Sequence, residues 1–245
     1  MKDHFSNQAE TYAKYRPSYP LELFEHILAH VIEKELAWDC GTGNGQTAIV
    51  LSRYFKKVFA TDISTKQLDH ATPDPRITYA NEPAEVSSLP SQSVNCITVS
   101  QALHWFNFNQ YYDEVRRVAK PGCLFAAWTY SLLKIDPVTD ALIQRYHDET
   151  LGPYWDTARK YVNESYRIIP FPFTLLPDPG FIISCHWNTE DLQGYLQTWS
   201  AWQQFITEHD HDPVEDLMKQ VAKNWMPGEK RLVKFPIHLK MGYVE

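Results

Sequence analysis

Asp39 is followed by glycine at every second position (Gly41, Gly43 and Gly45) within Ala37-Trp-Asp-Cys-Gly-Thr-Gly-Asn-Gly-Gln-Thr-Ala48. Three alternate glycines between an extended apolar stretch and a helix-competent one require a sharp turn. They also let a bulky ligand lie against main chain that any Cβ would obstruct. A pyrophosphate cradle for nicotinamide or flavin reads G-x-G-x-x-G. Here the third glycine arrives one residue early, which points to a different nucleoside ligand. Downstream, Asp62 is a carboxylate suited to accept both hydroxyls of a ribose, although it also reads as a helix cap ahead of Ser64. Two further polar clusters follow, Asn81-Glu-Pro-Ala-Glu-Val-Ser-Ser-Leu-Pro90 and Ser100-Gln-Ala-Leu-His-Trp-Phe106. His104, beside two aromatics, reads either as a packed, hydrogen-bonded residue or as a general base or donor at a substrate site.

The elements that must position these groups alternate regularly. Leu21–Glu35 has apolar residues at helical spacing, and Leu36–Cys40 reads as a strand leading into the glycine turn. Gln46–Tyr54 is then a helix, Lys57–Thr61 a strand ending at Asp62, Ser64–His70 a helix and Ile77–Ala80 extended. Val94–Ser100 is a strong strand, Asn109–Val118 a helix stopped by Lys120-Pro-Gly122, and Cys123–Trp128 a further strand. Such alternation with short connections predicts a mostly parallel sheet covered by helices on both faces, with ligand at the strands' carboxyl ends. Beyond residue 130 the pattern loosens. Helices are expected over Asp136–Leu151, Thr189–Glu208 and Pro213–Asn224, and strands over Phe181–Trp187 and Leu232–Tyr243. Ser6–Tyr15 reads as a short helix at the N-terminus.

Composition narrows the class of partner. A net charge of −7, with 23 basic against 30 acidic residues, disfavours a nucleic-acid partner, which needs clustered Lys and Arg. No apolar run approaches a membrane span, and the start Met-Lys-Asp-His-Phe-Ser has no leader character, so a cytoplasmic protein without membrane association is expected. The four cysteines are scattered, so neither a metal site nor a disulfide framework is expected. Aromatic residues make up 14% of the chain. Most are expected to pack in the core, and a few to line an enclosed pocket.

Taken together, Asp39-x-Gly-x-Gly-x-Gly45, Asp62, Ala84-Glu-x-x-x-Leu-Pro90 and Val118-Ala-Lys-Pro-Gly122 resemble the class I S-adenosylmethionine-dependent methyltransferases, specifically the type 11 small-molecule branch. Tyr12-Ala-Lys-Tyr-Arg-Pro-Ser-Tyr-Pro20, Ala102-Leu-His-Trp-Phe106 and Thr198-Trp-Ser-Ala-Trp202 look like the subgroup related to trans-aconitate methyltransferases. The resemblance implies an α/β fold: a doubly wound, mostly parallel, seven-stranded Rossmann-like sheet with an additional helical cap. It implies one methyltransferase domain over residues 1–245. Its parts would be N-terminal lid helices (1–35), the cofactor-binding core (36–130), the cap with a sixth strand (131–230) and a final strand (231–245).

The implied cofactor is S-adenosyl-L-methionine, and the implied partner is a small-molecule methyl acceptor bound by a monomer or weak homodimer. Cofactor contacts are expected from Tyr12, Arg16, Asp39, Gly41, Thr42, Gly43, Gly45, Asp62, Ile63, Ala84, Glu85, Ser100, Gln101 and Ala102. Arg16 would meet the methionine carboxylate, with the N-terminal helix closing as a lid. Where many relatives carry Asp before the adenine-loop alanine, this chain has Pro83, so Glu85 or a backbone carbonyl must substitute. His104 is the candidate catalytic base, needed only if the acceptor is a hydroxyl and not an already ionised carboxylic acid. Tyr19, Trp105, Trp128 and Trp199 are candidate acceptor-pocket residues, and Arg16, Tyr19, Ser200 and Arg167 candidate anchors for a carboxylate. Two alternatives remain at this point, a nicotinamide-dependent reductase and a degenerate methyltransferase fold acting as an interaction module.

Overall fold

A computed structural model describes residues 15–245, so Tyr12 and most of the expected first helix lie outside the described residues. The first described helix, α1 (Leu21–Ala29), buries Leu23, Phe24, Ile27 and Leu28 on one face. It precedes β1 (Leu36–Cys40), α2 (Gln46–Leu51), β2 (Lys57–Asp62), α3 (Thr65–Asp69) and β3 (Ile77–Asn81). Then come β4 (Val94–Ser100), α4 (Phe108–Val118) and β5 (Ala119–Tyr130). The strands form one seven-stranded sheet in the order β3-β2-β1-β4-β5-β7-β6, where β6 is Phe181–Trp187 and β7 is Arg231–Tyr243. Strands β1 to β5 pair in parallel, and β7 runs antiparallel to both β5 and β6. The doubly wound, mostly parallel sheet expected from the alternation is therefore present.

Burial of both sheet faces explains the composition of the central strands. Every residue of β4 from Val94 to Val99 is buried, as are Ala37–Cys40 of β1. Parallel strands covered on both sides read as continuous apolar runs. One core packs α1, α2 and the cap against the sheet through Leu23, Ala48, Trp128 and Phe235. The other packs α4 against the opposite face through Trp38, Ile97, Tyr111 and Phe125.

The cap comprises α5 (Pro137–Arg145), α6 (Arg159–Asn163), α7 (Thr189–Leu196), α8 (Ser200–Glu208) and α9 (Pro213–Val221). The single helix expected over 189–208 is in fact two. Helix α7 opens with a capping box, in which Asn188 Oδ1 accepts from Asp191 N at 2.9 Å and Asp191 Oδ2 accepts from Asn188 N at 3.0 Å. Asp212 then ties three cap helices together. It caps α9 by accepting from Val214 N at 2.9 Å, and it also accepts from Gln197 Nε2 at 2.8 Å and Trp202 Nε1 at 2.7 Å.

Trp128, expected at the acceptor pocket, is instead a core residue with no exposure. Its ring meets Phe24 and Tyr19 edge-on, with centroids 6.0 and 5.5 Å away. Truncating a large buried aromatic costs about 3–5 kcal/mol. Trp128→Ala should therefore lower unfolding stability by about that amount in a denaturant titration, whereas a pocket role would weaken acceptor binding and leave stability nearly intact.

Candidate active site

The sheet order reverses between β1 and β4, and the loops leaving these strands face each other there. Gly41 has φ +67°, and a Cβ built on it would lie 2.5 Å from Ala102 Cβ, so the two loops touch at a point where no side chain fits. Gly45, at φ +83°, meets a different neighbour: an added Cβ would strike Tyr79 Oη. Only Gly43 faces open space, with nothing nearer than Gln67 Oε1 at 4.0 Å from its would-be Cβ. The alternate glycines thus serve two packing demands and one ligand-facing position. Gly45 is not part of the lining of the cleft over this turn, in contrast to its expected ligand contact.

Two carboxylates hold this turn. Asp39 is wholly buried and accepts from the hydroxyls of Thr42 and, at 2.7 Å, Thr98. Burial drives its pKa up to about 6, against those hydrogen bonds and with the charge of Asp62 adding to the rise. It lies beneath the cleft, orienting the loop without lining it. Asp62 stands at the surface of the turn, with Oδ2 accepting from Gly43 N and Oδ1 from Ser64 N, both at 2.8 Å.

A cleft of about 1010 Å³, including its open mouth, runs over these groups. Its floor is Gly41–Asn44 with Gln46, and one wall is Asp62, Ile63, Ser64 and Gln67. Glu82 and Ala84 come from the loop after β3, and Ser100, Gln101 and Ala102 from the end of β4. Trp105, Phe106, Arg16, Pro17, Tyr19 and Tyr130 close the far side. Glu85 does not reach the cleft, because its Oε1 accepts from Asn107 N at 2.8 Å at the start of α4. Glu82 stands there in its place, with its Oε2 accepting from Ser88 N at 2.9 Å. The β3 loop is pinned by Glu114, whose Oε1 accepts from Ser87 N and Oγ at 2.7 and 2.6 Å.

A second cavity of about 520 Å³ adjoins the first and shares Arg16, Gln101 and Trp105 with it. The cap supplies Trp155, Asp156, Arg159, Val162, Trp199 and Ser200, and His104 completes the lining. Arg16 spans core and cap, with Nη1 donating to Tyr130 Oη at 2.6 Å and Nη2 to Thr198 O at 3.3 Å. The Arg159 guanidinium lies over the Trp155 ring, 4.3 Å from its centroid. Burial pulls its pKa down to about 10, which still leaves it charged at neutral pH. His104 is buried, and burial together with the Arg159 charge depresses its pKa to about 3. So weak a base has little drive to deprotonate a hydroxyl, which counts against the expected general-base role. Arg167 is not at the site either. It is exposed and pairs with Glu164 at 2.8 Å. Arg159 opens the five-residue helix α6 and Trp155 precedes it in irregular chain, so neither carries a periodic signal in the sequence.

The methyltransferase-domain family profile matches residues 38–127. A methyltransferase-family protein of Dictyostelium discoideum is 33% identical, with the alignment covering 97% of this chain and 93% of that one. The chain belongs to the class I S-adenosylmethionine-dependent methyltransferases. A Saccharomyces cerevisiae protein named for S-adenosylmethionine-dependent methyl transfer is 30% identical over 64% of this chain and 56% of its own length. The solved structure of a type II methyltransferase-family protein from Anaeromyxobacter dehalogenans superposes with TM-score 0.86 at 36% identity, covering 94% of this chain and 98% of that one. This membership sets aside the reductase and the interaction module.

The residues present suit the cofactor of this methyltransferase. A Cβ at Gly43 would project into the cleft, and the Asp62 oxygens, each able to accept more than one hydrogen bond, suit a diol.

Asp39 gives the fold a pH signature. Its carboxyl titrates at about 6 in the folded protein against 3.8 for the ordinary group, so between these values the folded state holds more protons. Stability from this group is present below about pH 4 and lost as pH rises through 6, by up to roughly 3 kcal/mol. Asp39→Asn lacks that loss. Its stability relative to wild type should improve by about that amount between about pH 4 and pH 7 in unfolding titrations, and a constant difference would contradict the burial account.

Proposed function

We propose that this methyltransferase holds S-adenosylmethionine in the larger cleft and transfers its methyl group to a small carboxylic acid held in the second cavity. The supporting observation is that Arg16 and Arg159 both line a cavity adjoining the cofactor cleft. Asp156 offsets one of the two positive charges, and the lining stays net cationic. The resemblance to the trans-aconitate subgroup agrees with an anionic acceptor.

In this reading Asp62 takes the ribose hydroxyls, and Ile63 and Ala84 flank the adenine with Glu82 at its polar edge. The main chain at Gly41, Thr42, Gly43, Ser100, Gln101 and Ala102 follows the methionine portion. The face of Trp105 sits beside the cationic sulfur. Bound S-adenosylmethionine supplies a methyl already activated by its sulfonium, so a carboxylate oxygen can displace the neutral thioether with no proton moving. The protein's part is then alignment and exclusion of water. The guanidiniums of Arg16 and Arg159 hold the carboxylic acid, and Trp105, Trp155 and Trp199 enclose it. Tyr19 packs at the junction, lining the larger cleft with its ring 6.4 Å from that of Tyr130.

Incubation with methyl-labelled S-adenosylmethionine and a panel of small organic acids should give products that release labelled methanol in alkali, as esters do. An alkali-stable product would sink the carboxylate assignment. Arg159→Ala should raise the acceptor KM by about tenfold to a hundredfold with S-adenosylhomocysteine affinity unchanged, as expected for loss of a charge-assisted anchor. Asp62→Ala should weaken S-adenosylhomocysteine binding by at least about tenfold in calorimetry, and unchanged affinity would remove the ribose role.

A further inference from the structure

Tyr166 is fully buried, yet it sits in a left-handed turn, with φ 54° at Ser165 and 60° at Tyr166 itself. Bulky residues rarely adopt that conformation, so the surrounding structure holds it in place. The turn ends α6, the short helix that begins with Arg159. Ser165 N donates to Val162 O and Tyr166 N to Tyr161 O, both at 2.8 Å. The outcome is a phenol directed inward from the cap to the end of β4, with its hydroxyl 2.8 Å from His104 Nδ1.

The partners of that hydroxyl decide which way its hydrogen points. The backbone amides of Leu103 and His104 face the phenol oxygen, while the Thr129 hydroxyl beside it gives its own hydrogen to Gln101 Oε1. With its lone pairs turned to these two amides, the Tyr166 oxygen cannot also accept from His104 Nδ1, so the 2.8 Å contact runs from phenol to imidazole. Burial pushes the phenol's pKa up, so that hydrogen stays on the oxygen. His104 Nδ1 is therefore the acceptor in this contact. A neutral imidazole accepting at Nδ1 must carry its own hydrogen on Nε2.

We propose that Tyr166 is a positioning residue of the acceptor site: its hydroxyl fixes His104 as the Nε2–H tautomer, so that the ring presents a neutral N–H donor to the acceptor anion. The role of this donor, though not the tautomer itself, rests on the second cavity being the acceptor's. Arg16, Arg159 and Asp156 are the charged groups that share the cavity with His104. A neutral donor beside the two guanidiniums adds direction without adding a third charge, and it does not titrate in the range where an ordinary histidine would. Glycine turns and ribose acids carry no signal for this arrangement, and Tyr166 has no motif around it in the sequence.

Nitrogen-15 histidine spectra of the full chain saturated with S-adenosylhomocysteine test the tautomer directly, with His104 assigned by its absence in His104→Gln. At about pH 7 the wild type should show a single His104 species with hydrogen on Nε2. Hydrogen on Nδ1, or an average of the two tautomers, would overturn the proposal. Tyr166→Phe keeps the ring and removes the hydroxyl, and it should yield mixed tautomers. Succinate serves as the carboxylate probe. It should shift the Nε2–H resonance in the wild type and bind about tenfold more weakly to Tyr166→Phe, and that loss should vanish when His104 is already Gln. Additive losses would make Tyr166 merely structural and overturn the positioning role. A correct tautomer with no response to succinate would remove the carboxylate acceptor while leaving the tautomer standing. Should Tyr166→Phe not fold, the wild-type spectrum alone still decides the tautomer.

Discussion

Asp39 has no contact with solvent where β1 ends, and its two oxygens take the hydroxyls of Thr42 in the following turn and Thr98 in the adjacent strand. Burying a carboxylate is costly unless it is hydrogen-bonded, and here the bonds run in two directions, along the chain and across the sheet. The turn is thereby locked to β4, and Gly41 can lie against Ala102 at a distance that leaves no room for a Cβ. Asp62 then fastens the outer side of the same turn through Gly43 N. The cleft owes its shape to these attachments, since its floor is backbone that would otherwise be free to rearrange.

The second cavity is built differently. Its walls come from cap segments separated by long stretches of sequence, and they are assembled by polar ties and not by one continuous strand end. Asp212 joins α7, α8 and α9, while Arg16 joins the segment before α1 to Tyr130 of β5 and to the main chain at Thr198. Trp155, Trp199 and Tyr195 pack ring against ring behind them. The larger cleft thus rests mainly on strand ends of a rigid sheet, while the second cavity draws most of its lining from the helical cap.

The contrast explains what could be read from sequence. Leu36–Cys40, Val94–Ser100 and Phe181–Trp187 are bounded as their apolar patterns suggest, and the glycine turn and Asp62 fall together at the switch point. Trp128 was misplaced because β5 is buried on both faces, so alternation along the strand says nothing about which face meets the site. Glu82 has no motif to mark it, and a loop's sequence does not reveal that the Glu85 carboxylate is taken up by a helix N-terminus, here Asn107 N. The break between α7 and α8 carries neither glycine nor proline. It falls at Thr198, whose hydroxyl donates back to Tyr195 O at 2.6 Å. Arg159 and Tyr166 stand on elements too short for any periodicity, and only the folded cap brings them to His104.

Arg16, Gln101 and Trp105 belong to both cavities at once. Gln101 is held in a left-handed backbone conformation, with its side-chain oxygen accepting from the Thr129 hydroxyl, so this partition is a fixed wall of the sheet on one side. On the other side it is an arginine reaching from the segment before α1. A wall with two faces cannot adjust to a molecule on one face without presenting a changed surface on the other. Whatever free energy links the two occupants is felt equally by each, so a ligand that tightens its neighbour's grip is itself held more firmly in return. The chain therefore has a physical basis for behaving as one composite receptor for two molecules, in which neither affinity is a property of its own cavity alone.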